Sequence, residues 1–509
     1  MCGALVRYAA ALDIALQMRA YARWLLFAAC VGVSTTAGAD AGVPHVTSAQ
    51  ADEDAGVDLS AFEPSSSATP AITLPPATPD PEIAPIVVGR EAVQRSDAPI
   101  ESNQRPRALV ETILSVLSLM ALAYMGGHPR VVLLERRLGI SQVITAGFPF
   151  VVLGLIARLP GVDVLDDQML GDLSPLLRIG LGCIGFAAGF RFSSALEREM
   201  EPAHVRIASY ASGIPFVFVA ALCGGVLLAF TGDITTAALR DPVFLRDAVI
   251  LGTAGAMTAT TSADVFRADD RTVRRVLQLE EVAGIIGLAI VAAYFRPRHE
   301  VTWQLPGTAW LLLTCGLGIA LGLIGLLVMR RPKEGPEFVV LTLGMIAFAS
   351  GTGGYLRLSP VVVAFLAGTC LGLLPPLQKK RIAAALRRME RPIYLLSLVV
   401  IGALWQVDDW RGWLLVPVFT VARLFGKRMG VQLGLRHAGI ALSSEQKQAL
   451  SIAPIGPLAI AIVVNAQLLY PGGSIAPIVA AVIVGAIVTE IIVQLVSRRT
   501  QQNKAELSP

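Results

Sequence analysis

From residue 107 onward the chain alternates between apolar stretches of about 20 residues and short polar breaks of arginines, Pro/Gly turns or acidic loops. At ~1.5 Å per residue, each stretch is long enough to cross a bilayer as a helix. The pattern predicts about thirteen spans, near 108–126, 138–158, 174–192, 205–230, 246–266, 276–295, 308–329, 337–356, 360–375, 392–406, 412–430, 448–470 and 474–497. The expected fold class is therefore an all-α polytopic membrane protein. The balance of 54% hydrophobic against 16% charged residues excludes a soluble domain of this size.

The lysines and arginines orient these spans. With the mature N-terminus outside, the basic groups fall on cytoplasmic segments, including Arg267/Arg271/Arg274/Arg275, Lys379/Lys380/Arg381 and Lys427/Arg428/Arg436/Lys447. The opposite loops carry acids, such as Asp166/Asp167 and Asp408/Asp409. This asymmetry is the positive-inside pattern, and it places the C-terminus in the cytoplasm of a bacterial-type inner membrane.

The region before the spans is different in kind. Arg19 and Arg23, the apolar run Trp24–Val33 and Ala37-Gly-Ala39 predict a signal peptide over 1–39, with Met18 as an alternative start. Residues 40–106 are acidic and rich in Pro, Ser and Ala, and predict a disordered periplasmic segment. Residues 107–499 form the expected transmembrane domain, and 500–509 a short cytoplasmic tail.

Chemistry concentrates at a few interruptions of the apolar pattern. Glu280 and Glu281 lie side by side in Val276-Leu-Gln-Leu-Glu-Glu-Val-Ala-Gly. Glu281 is about 9 Å beyond Arg275 along a helix. Carboxylates at such depth face a protein interior or a water-filled path and mark an ion or proton route. The fifth span reads Gly252-Thr-Ala-Gly255-Ala-Met-Thr-Ala-Thr260-Thr261-Ser262; its small and hydroxyl residues allow either close packing or unwinding that frees carbonyls for a cation. In the twelfth span Pro454, Gly456 and Pro457 remove backbone donors mid-segment and predict a broken helix. Paired interruptions in two halves of a transporter point to a site near the midplane. Arg423 lies about 20 Å along its helix from Trp410, too deep for snorkelling. It requires a carboxylate or the negative ends of half-helices, and Glu490 and the Glu280/Glu281 pair are the candidate carboxylates.

Several classes lose support. Six cysteines include no CxxC pair, the five histidines do not cluster, and no resident metal or cofactor is expected. No nucleophile–base set suggests an enzyme, and no basic aromatic patch suggests nucleic acid.

Motifs in this order resemble the monovalent cation–proton antiporter superfamily, which includes sodium/hydrogen exchangers and Kef-type membrane domains. They are Leu181-Gly-Cys-Ile-Gly-Phe-Ala-Ala-Gly189-Phe-Arg-Phe, Leu358-Ser-Pro-Val-Val-Val-Ala-Phe-Leu-Ala-Gly368, and Glu390-Arg-Pro-Ile-Tyr394 through Gly402. The resemblance implies an inverted-repeat fold with two broken crossing helices, a mobile core, a dimerising scaffold and a homodimer in lipid. It implies exchange of H⁺ for Na⁺ or K⁺, with Glu281 as essential carboxylate and Glu280 as its partner. Thr260, Thr261 and Ser262 would lie at the unwound fifth span, and Arg423 near the crossing. Glutamates stand where the family carries Asn-Asp, Asp-Asp or Gln-Asp. An acid at the first position implies electrogenic exchange. The short tail predicts no nucleotide gating within this chain. A sodium-coupled organic-anion symporter on a similar fold and a non-transporting membrane sensor stay open as alternatives.

Overall fold

Proline and glycine punctuate the apolar stretches where helices begin and end. The computed structural model describes residues 148–158, 167–196, 201–232, 235, 237–260, 271–296, 305–330, 335–405, 409–470 and 475–507. The expected signal peptide, the acidic segment, the first span, Thr261 and Ser262 lie outside the described residues. The helices are α1 (Phe148–Ala157), α2 (Asp167–Leu196), α3 (Pro202–Thr231), α4 (Pro242–Ala256), α5 (Arg271–Tyr294), α6 (Gly307–Met329) and α7 (Gly335–Tyr355). They continue with α8 (Pro360–Leu371), α9 (Pro376–Leu404), α10 (Trp410–Ala438), α11 (Ser444–Ser451), α12 (Pro457–Leu469) and α13 (Ala476–Leu507).

Each start has a local cause. Prolines open α3, α4, α8, α9 and α12, where a missing N–H is harmless and the fixed φ suits a helix. Asp241 accepts a hydrogen bond from the Val243 N–H at 3.1 Å, and Asp409 one from Arg411 at 3.0 Å. Ser443 and Gln446 form a reciprocal capping box at α11. Gly232 and Gly439 adopt left-handed φ of 70° and 69° and stop α3 and α10.

The predicted spans after the first each correspond to a described helix, and the twelfth is divided between α11 and α12. Six of the described helices are long and apolar enough to cross a membrane by length and composition. The tenth differs in extent. It was expected from 392, but α9 already begins at Pro376 and carries Pro392 inside it. Its charged first half is amphipathic: Ile382, Ala385 and Leu386 are buried while Arg381 and Arg387 are exposed. A hydropathy pattern sees only the apolar half.

Without a hydrophobic drive between helices in lipid, close packing of small residues does the work. On α10, Gly426, Gly430 and Gly434 recur every four residues against Pro215, Tyr210/Ala211 and Ile207 of α3. On α2, Gly185 and Gly189 meet the backbone of Val361 and Phe365 of α8, while Gly368 of α8 meets Phe186. Gly318 and Gly322 of α6 bring that helix onto α8 as well. Val217, Leu312, Leu327, Val340 and Phe348 are exposed, as side chains facing lipid would be.

The packing sorts the helices into two groups. In one, α3 to α5 and α10 to α13 associate, with α3 packed along α10; in the other, α1, α2 and α6 to α9 associate. Helix α5 also touches α2 and α6 of the second group. Its far end is pinned there: the Arg296 guanidinium lies 3.6 Å from the Trp310 ring centre and donates to the Leu356 carbonyl at 2.8 Å.

Gly430→Val inserts two methyls and a Cβ into the α3–α10 contact. A destabilisation of about 1–3 kcal/mol is expected from overpacking, read as a lower thermal midpoint in detergent. The exposed Gly213→Ala is expected to hold or slightly raise the midpoint, since nothing lies within 4 Å of its would-be Cβ and alanine favours a helix interior.

Candidate functional site: buried charges at the crossing of two interrupted helices

Both the fifth and the twelfth spans are interrupted, the twelfth as its prolines predict and the fifth by the unwinding that its small and hydroxyl residues allow as one of two outcomes. Helix α4 ends at Ala256, and Met257 turns to an extended conformation with φ −79° and ψ 151°. Helix α11 ends at Ser451, and α12 starts only at Pro457. The two unwound stretches meet: the Ala259 N–H donates to the Pro454 carbonyl at 3.0 Å. Gly456 favours this approach, because a Cβ there would stand 3.1 Å from Ala259 Cα, a tight contact that would press the two stretches apart by a few tenths of an ångström. Pro457 opens α12 at its first position, so the second proline restarts the helix that the first helps to break.

Unwinding leaves helix C-termini with carbonyls pointing inward. Arg423, fully buried on α10, reaches both. Its Nη1 donates to Ala453 O at 2.9 Å and its Nη2 to Met257 O at 2.8 Å. The guanidinium thus caps the negative ends of α4 and α11 together, a favourable position for a cation. Glu490 does not take these bonds. It is half-buried on α13, where its Oε1 accepts from Gln494 Nε2 at 3.0 Å.

Glu280 is fully buried on α5, and its Oε2 accepts from Lys427 Nζ at 2.7 Å. Lys427 lies one turn after Arg423 on α10 and is also fully buried. The positive-inside pattern had assigned this lysine to a cytoplasmic loop. In the structure α10 runs on to Ala438, and Lys427 turns inward to the site. The signal in the sequence was the spacing Arg423-x-x-x-Lys427, which puts both cations on one helix face. Glu280 Oε1 has no hydrogen-bond partner among the described residues, nor does the buried Thr258 Oγ1. The sequence pattern points instead to Thr260, which is half-buried at the turn that follows the same unwound stretch.

Glu281 takes a different partner. Its Oε2 lies 4.0 Å from Arg191 Nη2 on α2, at the boundary between the two helix groups. The Glu281 side chain is 8% exposed and that of Arg191 33% exposed. Arg191 was also unforeseen as a site residue, although it belongs to the Gly189-Phe-Arg-Phe motif. Asn465 on α12 is fully buried, and neither amide atom has a partner among the described residues. Among the described residues no group of three or more His, Cys, Asp or Glu could hold a resident metal ion.

A helical membrane fold with two interrupted helices crossing beside buried carboxylates and cations is that of a secondary ion transporter. The sodium/hydrogen exchanger transmembrane family matches residues 132–498, and the chain belongs to that family. In fold, the chain is similar to the sodium proton antiporter MjNhaP1 from Methanocaldococcus jannaschii at pH 8. The identity is 16% and the TM-score 0.55, covering 75% of this chain and 96% of that one. An electron-microscopy structure of the same antiporter gives 17% identity and a TM-score of 0.52, covering 77% and 96%. No curated protein matches the sequence.

Removing one member of a buried ion pair strands the other, at about 3–5 kcal/mol, whereas replacing both is often neutral. Lys427→Met is therefore expected to lower the thermal midpoint sharply, and Glu280→Gln/Lys427→Met to recover most of the loss. A double variant no more stable than Lys427→Met would show that the pair does not act as a unit.

Proposed function

We propose that this protein exchanges protons for a monovalent cation, Na⁺ or K⁺, across the membrane by alternating access. The observation that carries the reading is the pairing of Glu280 with Lys427 beside Glu281, at the crossing of two interrupted helices. In this reading Glu281 is the carrier. Protonated, it holds no cation; deprotonated, it attracts one, helped by hydroxyls such as Thr258 and Thr260 and by carbonyls freed where α4 unwinds.

The charges around the site support that division of labour. Glu280 is already neutralised by Lys427, and Arg423 is occupied with two helix termini. Glu281 has an ion-pair partner on the other helix group, Arg191, at a longer distance. The group of α3 to α5 and α10 to α13 would move as the core, carrying Glu281 past α2. The remaining helices would form the scaffold and the homodimer contact. The basic loops support a cytoplasmic C-terminus.

The deciding test uses everted vesicles holding a respiratory pH gradient and a pH-sensitive dye. Adding Na⁺ or K⁺ is expected to collapse the gradient in wild type and to have no effect with Glu281→Gln at equal protein level. Equal collapse in Glu281→Gln would remove that residue from the mechanism; no collapse in wild type with either ion would remove exchange of these ions.

Arg191 competes with the cation for Glu281. A charge pair at 4 Å is worth about 1 kcal/mol at the dielectric of water, the limit suited to a third-exposed arginine. Arg191→Gln is therefore expected to lower the apparent KM for the cation by about fivefold, measured in the same vesicles. An unchanged or raised KM would show that Arg191 does not oppose cation binding.

A further inference from the structure

Beyond the ion pairs, α10 and α11 enclose a cleft of about 520 Å³ that plays no part in the crossing itself. That volume lies within the range of small-molecule sites. Arg428, Gln432 and Arg436 recur every four residues and line it from one face of α10. Lys447, Gln448 and Ser451 line it from one face of α11. The floor is apolar, with Val431 and Leu435 buried. Among the described residues no Asp or Glu contributes to the lining.

Orientation by positive charge asks only that lysines and arginines face the cytoplasmic surface. It does not ask that cations from two helices converge on one concave space. Among the described residues, Arg428, Arg436 and Lys447 have no ion-pair partner, unlike the neighbouring Lys427. Like charges gathered in a cleft repel each other unless an anion joins them. Two guanidiniums, an ammonium and amide donors above an apolar floor match the oxygens of a phosphate.

We propose that this cleft binds a phosphate-bearing anion, either free or as the headgroup of an anionic lipid, and thereby regulates the exchanger. The route to the crossing is short. Helix α11 runs directly into Ile452 and Ala453, and the Ala453 carbonyl accepts one of the Arg423 bonds. An anion bridging α10 and α11 holds this half-helix against the helix that carries Arg423 and Lys427.

The test is binding by thermal unfolding of the purified full chain, which needs no transport and so stands apart from the exchange reading. Wild type, Arg428→Gln/Arg436→Gln/Lys447→Gln and the single Arg436→Gln are compared in phosphatidylcholine nanodiscs. The probes are sodium phosphate, against sodium chloride at equal ionic strength, and nanodiscs containing phosphatidylglycerol. A rise in the wild-type midpoint that is lost in the triple variant and reduced in the single one supports the site. If phosphate alone produces the rise, the ligand is a free phosphate; if only phosphatidylglycerol does, it is a lipid headgroup. No rise in wild type with either probe, or an equal rise in the triple variant, overturns the proposal. The single variant keeps the test decisive if the triple one fails to fold.

Discussion

The architecture turns on how charges are carried inside a membrane domain. Two cations and a carboxylate, Arg423, Lys427 and Glu280, are fully buried within a few turns of each other. Any of them alone would be costly to hold away from water. Together they form one compensated set: Lys427 binds Glu280, and Arg423 binds the carbonyl ends of α4 and α11. The interruptions in the fifth and twelfth spans are thus part of the charge balance. An unbroken helix would present no free C-terminal carbonyls to the arginine, and without the arginine the two C-termini would face each other's negative ends.

Such a set needs the helices that bear it to come close, and the glycine pattern supplies that. Gly426 and Gly430 follow Arg423 and Lys427 by three residues each and lay the adjoining surface of α10 onto Pro215 and Tyr210 of α3. The side of α10 that bears the two cations is thus also the side held closely by a neighbouring helix. On α5, Gly284 and Gly287 abut Met257 and Thr253, so the helix carrying the two glutamates lies directly against the unwinding end of α4. Small residues and buried charges occupy the same helices because the charges can be paired only where backbones approach closely.

Much of this was legible in the sequence. Spans, the proline-glycine break, the depth of Arg423 and the glutamate pair all follow from local patterns of apolar, small and charged residues. What escaped was the pairing between elements. Lys427 reads as an interfacial lysine because it sits next to Arg428 near a predicted helix end, and only the length of α10 and its contact with α5 turn it inward. Arg191 reads as a loop-proximal arginine for the same reason. Glu490 looked like a partner for Arg423 by being a lone acid in an apolar helix, but its own-helix Gln494, one turn away, satisfies it. Patterns along a chain report depth and face well; they do not report which of several buried groups will meet.

The adjacency of Glu280 and Glu281 has a geometric consequence that sequence reading alone treats too simply. Side by side in the chain, they suggest a coupled pair of like charges. Successive residues on an α-helix, however, point about 100° apart. Glu280 faces α10 and ends on a buried ammonium, while Glu281 faces α2 and a partly exposed arginine. One position anchors the helix group to itself, and the other lies where that group meets its neighbour. In the exchange reading this asymmetry is what a carrier requires. A carboxylate locked to an internal cation cannot trade a proton for an ion without breaking the core, but one poised at a moving boundary can do so from either side. On that reading the doubled glutamate divides into a structural half and a working half, and the helical repeat is what turns the two side chains apart.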